Sequence, residues 1–302
     1  MSSYWHKRQE QWIKNQNKED ERFTRKLEAY YKQTAKELEK EIATYFSIYG
    51  EDNVIQFREL LKDLPKRDKD LLYQDIDAFI KKHPGYKHLV PVRTSVYKLN
   101  RLEGLHYSTQ LKLLELGVIE QKEFERHLMQ TYKKNYETIV DELGLGKQFL
   151  SINDAIIRNV INTKWINDGN FSDRIWQNKE KLLEHLKTVY RDGLVRGDNY
   201  RKMSLSIMDR FGVAYNDAKR LVWTESSFVL NQAHIQPYIE LGYTEYELNA
   251  IMDSRTSDIC KEMHEKVFRF DEMRVGVNFP PFHPWCRTTF VAVGLNDAEK
   301  YV

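Results

Sequence analysis

One apolar stripe limits what this chain can fold into more than any other feature. Phe23, Leu27, Tyr30, Tyr31, Leu38, Ile42, Tyr45 and Phe46 recur at steps built from three and four residues, the spacing that lines one face of an α-helix. The stripe predicts one long amphipathic helix over residues 20–48, stopped by Gly50. Trp5 and Trp12 are seven apart, so an extension of the helix would place both on one face. A stripe of this length must be covered by a core, by a second helix or by a partner, and the sequence leaves these open.

The following segments read as shorter helices. They run from Val54 to Leu64 before Pro65, from Arg67 to Lys82 before His83-Pro84-Gly85, from Ser95 to Leu116 before Gly117, and from Ile119 to Leu143 before Gly144. Gly144 and Gly146 make Gly144 to Gln148 the expected hinge. Ser172 or Asp173 can cap a helix through Ile175, Trp176, Leu182, Leu186 and Tyr190. Further helices are expected from Tyr200 to Phe211 and from Ala214 to Leu241, closed by Gly242. From Tyr243 the pattern changes: Tyr243 to Met252, Lys266 to Phe270 and Thr288 to Val293 are rich in β-branched and aromatic residues. The expected fold is mostly α: helical N-terminal and middle regions followed by a small α+β, zinc-stabilised C-terminal domain. The corresponding division is 1–146 helical, 147–242 helical, and 243–302 strand-rich and metal-binding.

The two cysteines of the chain both fall in that last segment, and each has a histidine close by: Cys260-x3-His264, then His283-x2-Cys286. Such pairs are ligand spacing for a small structural Zn2+ site, because two turns can present four donors tetrahedrally. Pro280, Pro281 and Pro284 stiffen the second turn. A disulfide and simple packing of the thiols are the other readings. Of the four ligands, Cys260, His283 and Cys286 are the firmer members, and His264 competes with Asp253 for the last position.

Composition bears on the setting. A chain of 302 residues, 30% charged and 41% hydrophobic, has the makeup of a globular protein with long helices. No apolar run is long enough for a membrane span, and the first residues lack the apolar stretch of a secretory signal. Two cysteines without export are expected in a reducing cytosol, where a thiolate metal site is favoured over a disulfide. A net charge of only +2 argues against a protein that coats nucleic acid by charge alone.

Asp253-x-Arg255-Thr256-x3-Cys260, the Lys266-Val267-Phe268 turn, and the run Asn278-Phe279-Pro280-Pro281-x-His283-Pro284-x-Cys286-Arg287 together form a signature. It resembles the C-terminal region of the phage head morphogenesis family, the Mu F-like minor head proteins. Upstream, Asn170 to Asn178, Gly193-x3-Gly197, and Val222 to Glu225 leading into Asn231-Gln232-Ala233 fit the same family in the same order. The resemblance covers roughly residues 165–293. It implies a minor capsid protein of a tailed phage that associates with the portal protein and internal DNA in head morphogenesis and genome delivery. The scaffold or major capsid protein are further partners it implies. Its setting would be the virion, at the capsid interior or portal vertex, and the host bacterial cytoplasm during assembly.

Two other classes compete: a DNA-binding virion module that accompanies the genome, and a metal-dependent enzyme or toxin-like protein. For the enzyme, Glu225 would be a general base near a metal-bound water, with Asp253, Arg255 and Thr256 around it. Against it, the chain has no His-Glu-x-x-His, phosphate-binding glycine loop or Gly-x-Ser-x-Gly. The structural alternative is an ion pair between Arg255 and Glu225, with Asp253 capping a turn. His127, His185 and His234, and Trp165, Trp176 and Trp223, are expected to pack or face solvent. No catalytic residue is therefore assigned.

Overall fold

The computed structural model describes residues 2–91, 96, 98–146 and 152–295. The chain order is α1 (Ser2–Tyr49), a single turn α2 (Phe57–Leu60), α3 (Lys66–Lys82), α4 (Arg101–Glu142), α5 (Asp154–Ile161), α6 (Phe171–Arg196), α7 (Tyr200–Glu240), β1 (Tyr243–Asn249), α8 (Asp258–Met263), β2 (Val267–Arg269) and β3 (Thr289–Leu295). Among the described residues the protein is thus mainly helical, with one small sheet after α7. Residues 147 and 148 of the expected hinge lie outside the described residues; Gly144 has a left-handed φ of 68° after the end of α4, a conformation that costs glycine little.

The helices are fewer and longer than the glycine punctuation suggested. Gly117 and Gly212 do not end helices: α4 runs through the first and α7 through the second. A mid-helix glycine costs only about 1 kcal/mol relative to alanine, and at Gly117 a packing gain offsets it. The indole of Trp176 lies against the bare Cα, where a β-carbon would come within 2.6 Å of Cζ3. Trp176 Nε1 also donates to Gln121 Oε1 at 2.9 Å.

The described residues divide into two compact units, each assembled from separated stretches. One comprises Met1–Thr24, Glu123–Arg174 and Lys219–Val302, the other Arg25–Lys122 and Ile175–Ala218. These units cross the sequential boundaries expected at 146 and 242. The reason is helix length: α1, α4 and α7, of 48, 42 and 41 residues, each contribute to both.

In the second unit, the α1 stripe is core. Tyr31, Leu38, Ile42 and Phe46 are buried with Leu105, Leu113 and Leu116 of α4, Leu182, Leu186 and Tyr190 of α6, and Met203, Ile207 and Phe211 of α7. The apolar face of α1 is therefore consumed within the chain, and a docking role for that face, left open by the sequence, is not what it serves. A buried ionic group lies in the same unit: Lys179 Nζ is 2.5 Å from Glu120 Oε2, and Tyr31 donates its hydroxyl to the same oxygen at 2.9 Å.

The first unit holds the sheet, in the order β2-β1-β3 with both pairings antiparallel. Tyr246 of β1 stands opposite Ala292 of β3, and Leu248 opposite Phe290. Strand alternation sends these four inward. They meet Phe279 and Phe282, Tyr238 of α7, Ile139 of α4 and Trp12 of α1 in one cluster. Cys260 and Cys286 belong to this cluster, so the sheet core and the candidate ligands share one packed region.

Candidate metal centre

The segment after β1 is a turn held by its own side chains. Asp253 Oδ1 accepts from the backbone N–H of Arg255 at 2.8 Å. Thr256 Oγ1 accepts from the N–H of Asp253 at 2.8 Å and donates to the Ile251 carbonyl at 2.6 Å. Short side chains that bond the backbone two or three residues away favour such turns over regular structure. Ser257 then caps α8, its hydroxyl oxygen accepting from the Cys260 N–H at 3.3 Å. The cap points Cys260 inward, where it is 3% exposed.

The second arm is the turn from His283 to Arg287. Cys286 N–H donates to the His283 carbonyl at 3.2 Å, and Trp285 between them takes a left-handed φ of 66°. Arg287, next along, reaches back with both terminal nitrogens to Asp253, at 2.7 Å to Oδ2 and 2.6 Å to Oδ1. This forked pair ties the two arms together.

Between the arms, Cys260, His283 and Cys286 bring one ligand atom each to within 4.8 Å of one another. The His283 tautomer follows from its neighbours. Nδ1 lies 2.7 Å from the Pro284 carbonyl, which can only accept, so Nδ1 carries a proton, and a ring protonated there alone presents the lone pair of Nε2 toward the sulfurs. That is the orientation a metal-binding histidine needs, set by a backbone carbonyl behind it. Both cysteines are free thiols. Their sulfurs are 3.7 Å apart, far beyond the ~2.0 Å of a disulfide.

The donor set fits a tetrahedral ion. Two metal–sulfur bonds of about 2.3 Å put their sulfurs about 3.8 Å apart, close to the observed spacing. Bonds of about 2.3 and 2.0 Å put sulfur and nitrogen about 3.5 Å apart, whereas Cys260 Sγ and His283 Nε2 are at 3.1 Å. The ring has to withdraw by a few tenths of an ångström. The charge environment also suits a thiolate. A hydrogen bond from Cys286 lowers the Cys260 pKa most, with smaller contributions from Ser257 and Thr288, and burial opposes it. Cys286 is correspondingly raised by its bond to Cys260 and by burial.

Two residues expected at the fourth position are placed elsewhere. His264 ends α8 outside the cluster, its Nδ1 accepting the Ala250 N–H at 3.4 Å. The Asp253 carboxylate is engaged by Arg287 on both oxygens. Arg287 stood in the signature without an assigned partner, and the structure gives it one in Asp253; the residue-type pattern alone carried no signal for that pairing across 34 positions.

The expected Arg255–Glu225 pair does not form. Arg255 turns to Asp253 at 3.4 Å, while Glu225, 1% exposed, pairs with Arg174 and accepts from Trp165 Nε1 at 3.1 Å. Burial pushes the Glu225 pKa up to about 7, against Arg174 and Trp165, which lower it. Trp165 stacks on Phe228 with centroids 5.0 Å apart, and Trp223 meets Trp285 at 5.4 Å. His234 is fully buried against the edge of Trp12, and its pKa falls to about 3 through burial alone. His127 is buried and bonded to Asp20 at 2.8 Å; His185 is exposed.

Residues 184–291 match the model of a family described as Phage Mu protein F like protein, a phage head-morphogenesis family of minor head proteins. The matched stretch begins within α6, takes in all of α7, β1 and α8, and ends in β3, so it contains the Cys/His cluster. The matched family is structural, and a non-enzymatic role accords with it. No curated protein and no solved structure gives a significant match.

Proposed function

We propose that this chain is a structural minor component of a tailed-phage head, working at the portal vertex with the portal protein as its main partner. The carrying observation is the family match across residues 184–291, which spans the Cys260, His283 and Cys286 cluster. In this reading Cys260, His283 and Cys286 hold one Zn2+. When bound, the ion supplies a cross-link between α8 and the His283–Arg287 turn, and it performs no reaction. The small sheet then keeps its shape although its core is modest. Packaged DNA is a secondary partner, since the near-balanced charge of +2 gives little non-specific attraction to phosphate.

The test uses the full chain expressed with its own portal protein. Co-purification with the portal, and entry into procapsids assembled on that portal, are expected. Elemental analysis of the freshly purified chain is expected to find close to one zinc. A chain that never enters such procapsids overturns the virion assignment, and a metal-free chain whose Cys260→Ser variant is equally stable overturns the zinc.

A further inference from the structure

Three helices of the second unit each line one groove, and we infer that this groove docks a basic amphipathic helix of a partner protein. It lies outside residues 184–291, so the inference stands apart from the metal and virion readings and can fail without them. The groove is made of two cavities of about 560 and 290 Å³ that share Asp75, Ser108 and Lys112. On α3, Asp68, Leu71, Asp75 and Ala78 line it at steps of three and four residues, the spacing of one helix face. α1 does the same from Glu37 through Glu41 and Thr44 to Ile48, beside its buried stripe, and α4 from Ser108 to Ile119. Helix faces around a groove are the surface into which another helix packs. The α3 wall from Asp68 to Lys82 is about 21 Å long at 1.5 Å per residue, the length of about four helical turns.

The lining says what kind of helix fits. Leu72, Phe79 and Leu111 are buried and give an apolar floor, while Ile48 and Leu71 on the two walls are 61% and 47% exposed. Clustered apolar surface of this kind, rimmed by charge, marks a contact site. Five acidic and two basic side chains line the groove. Both lysines already have acidic partners, Lys82 in Glu115 and Lys112 in Glu41, so negative charge is in excess. Glu37 and Asp75 line the same cavity from α1 and α3, and both are exposed. Burial raises the Glu41 pKa most, against Lys112 and Ser108, and the like charge of Asp75 adds to the rise. A lysine or arginine beside an apolar stripe would relieve that crowding. An acidic helix would be repelled, and a wholly apolar one would strip water from the carboxylates without pairing them.

Fluorescence anisotropy of the full-length chain with labelled helical peptides of about fifteen residues, four turns of helix, tests this. The peptides share one leucine stripe and carry lysine, glutamine or glutamate beside it. The lysine peptide is expected to bind at least about tenfold more tightly than the glutamate peptide, by an advantage that shrinks with added salt. Asp75→Lys and Glu37→Lys, one on each wall, are each expected to lose that preference. Asp70→Lys, the same charge change on α3 outside the groove, is expected to keep it. Thermal melting of every variant separates lost docking from lost fold. A lysine peptide that binds no better than the glutamate peptide, or an Asp70→Lys loss equal to that of the groove variants, overturns the inference. So does a wild-type dimer in sedimentation that Asp75→Lys splits, since a second copy would then fill the groove.

Discussion

Arg287 holds Asp253 by both carboxylate oxygens across 34 positions of sequence, and in doing so fixes the distance between the two turns that carry the candidate ligands. The hydrogen bonds from Arg287, then that from the Arg255 backbone, keep the Asp253 carboxyl well below the usual carboxylate range. A carboxylate with a depressed native pKa stabilises the fold above its unfolded value of about 4 and loses that contribution as pH falls toward the native value. Asp253→Asn should therefore lower the melting temperature at neutral pH, and the gap to wild type should narrow in strong acid. Melting curves across the acid range give the answer; a gap that stays constant would contradict it.

Glu225 carries the opposite sign. Its native pKa of about 7 lies above the unfolded value of about 4.3, so between the two the folded chain holds more protons. Its stabilising contribution is complete below the unfolded value and is lost as pH rises through the native one. Glu225→Gln, which still accepts from Trp165, should remove this decline. Urea unfolding of both chains through that window should show wild type losing ground to the variant; parallel curves would refute the assignment.

Gly117→Ala should destabilise the protein although alanine is the better helix former. The added methyl meets the Trp176 ring, and overpacking of this kind typically costs about 1–3 kcal/mol, more than the roughly 1 kcal/mol gained in propensity. A urea midpoint higher than wild type would show that the indole gives way.

Lys179→Met should be costly because it strands Glu120, which is 0% exposed on its side chain. Removing one partner of a buried pair usually costs roughly 3–5 kcal/mol, while replacing both with apolar residues is often near neutral. The double variant Lys179→Met, Glu120→Leu should thus recover most of the loss in chemical denaturation, and a double variant as unstable as the single would argue against it.

Much of the local structure was legible in the sequence. The α1 stripe was read correctly, as were the change to strands near Tyr243 and the gathering of Cys260, His283 and Cys286. Local rules failed where a distant residue decided the outcome. Gly117 looked like a helix end because nothing nearby announces Trp176, which pays for it by packing. His264 looked like a ligand because a Cys-x3-His count ignores the Ser257 cap, which orients α8 and leaves its last residue outside the cluster. The interleaved units were invisible for the same reason, since they depend on pairings across most of the chain.

That interleaving sets an order of events during synthesis. Gln9 bonds Asn249, 240 positions later, whereas every stretch of the second unit has been made by Ala218. At about 5–20 residues per second, 240 residues take roughly ten to fifty seconds to make. For that time Gln9 waits for Asn249, while Arg8 and Trp12 can already reach Glu142 of α4. A helix made early is thus packed to completion late, because the cluster that buries Trp12 also needs the strands of the sheet.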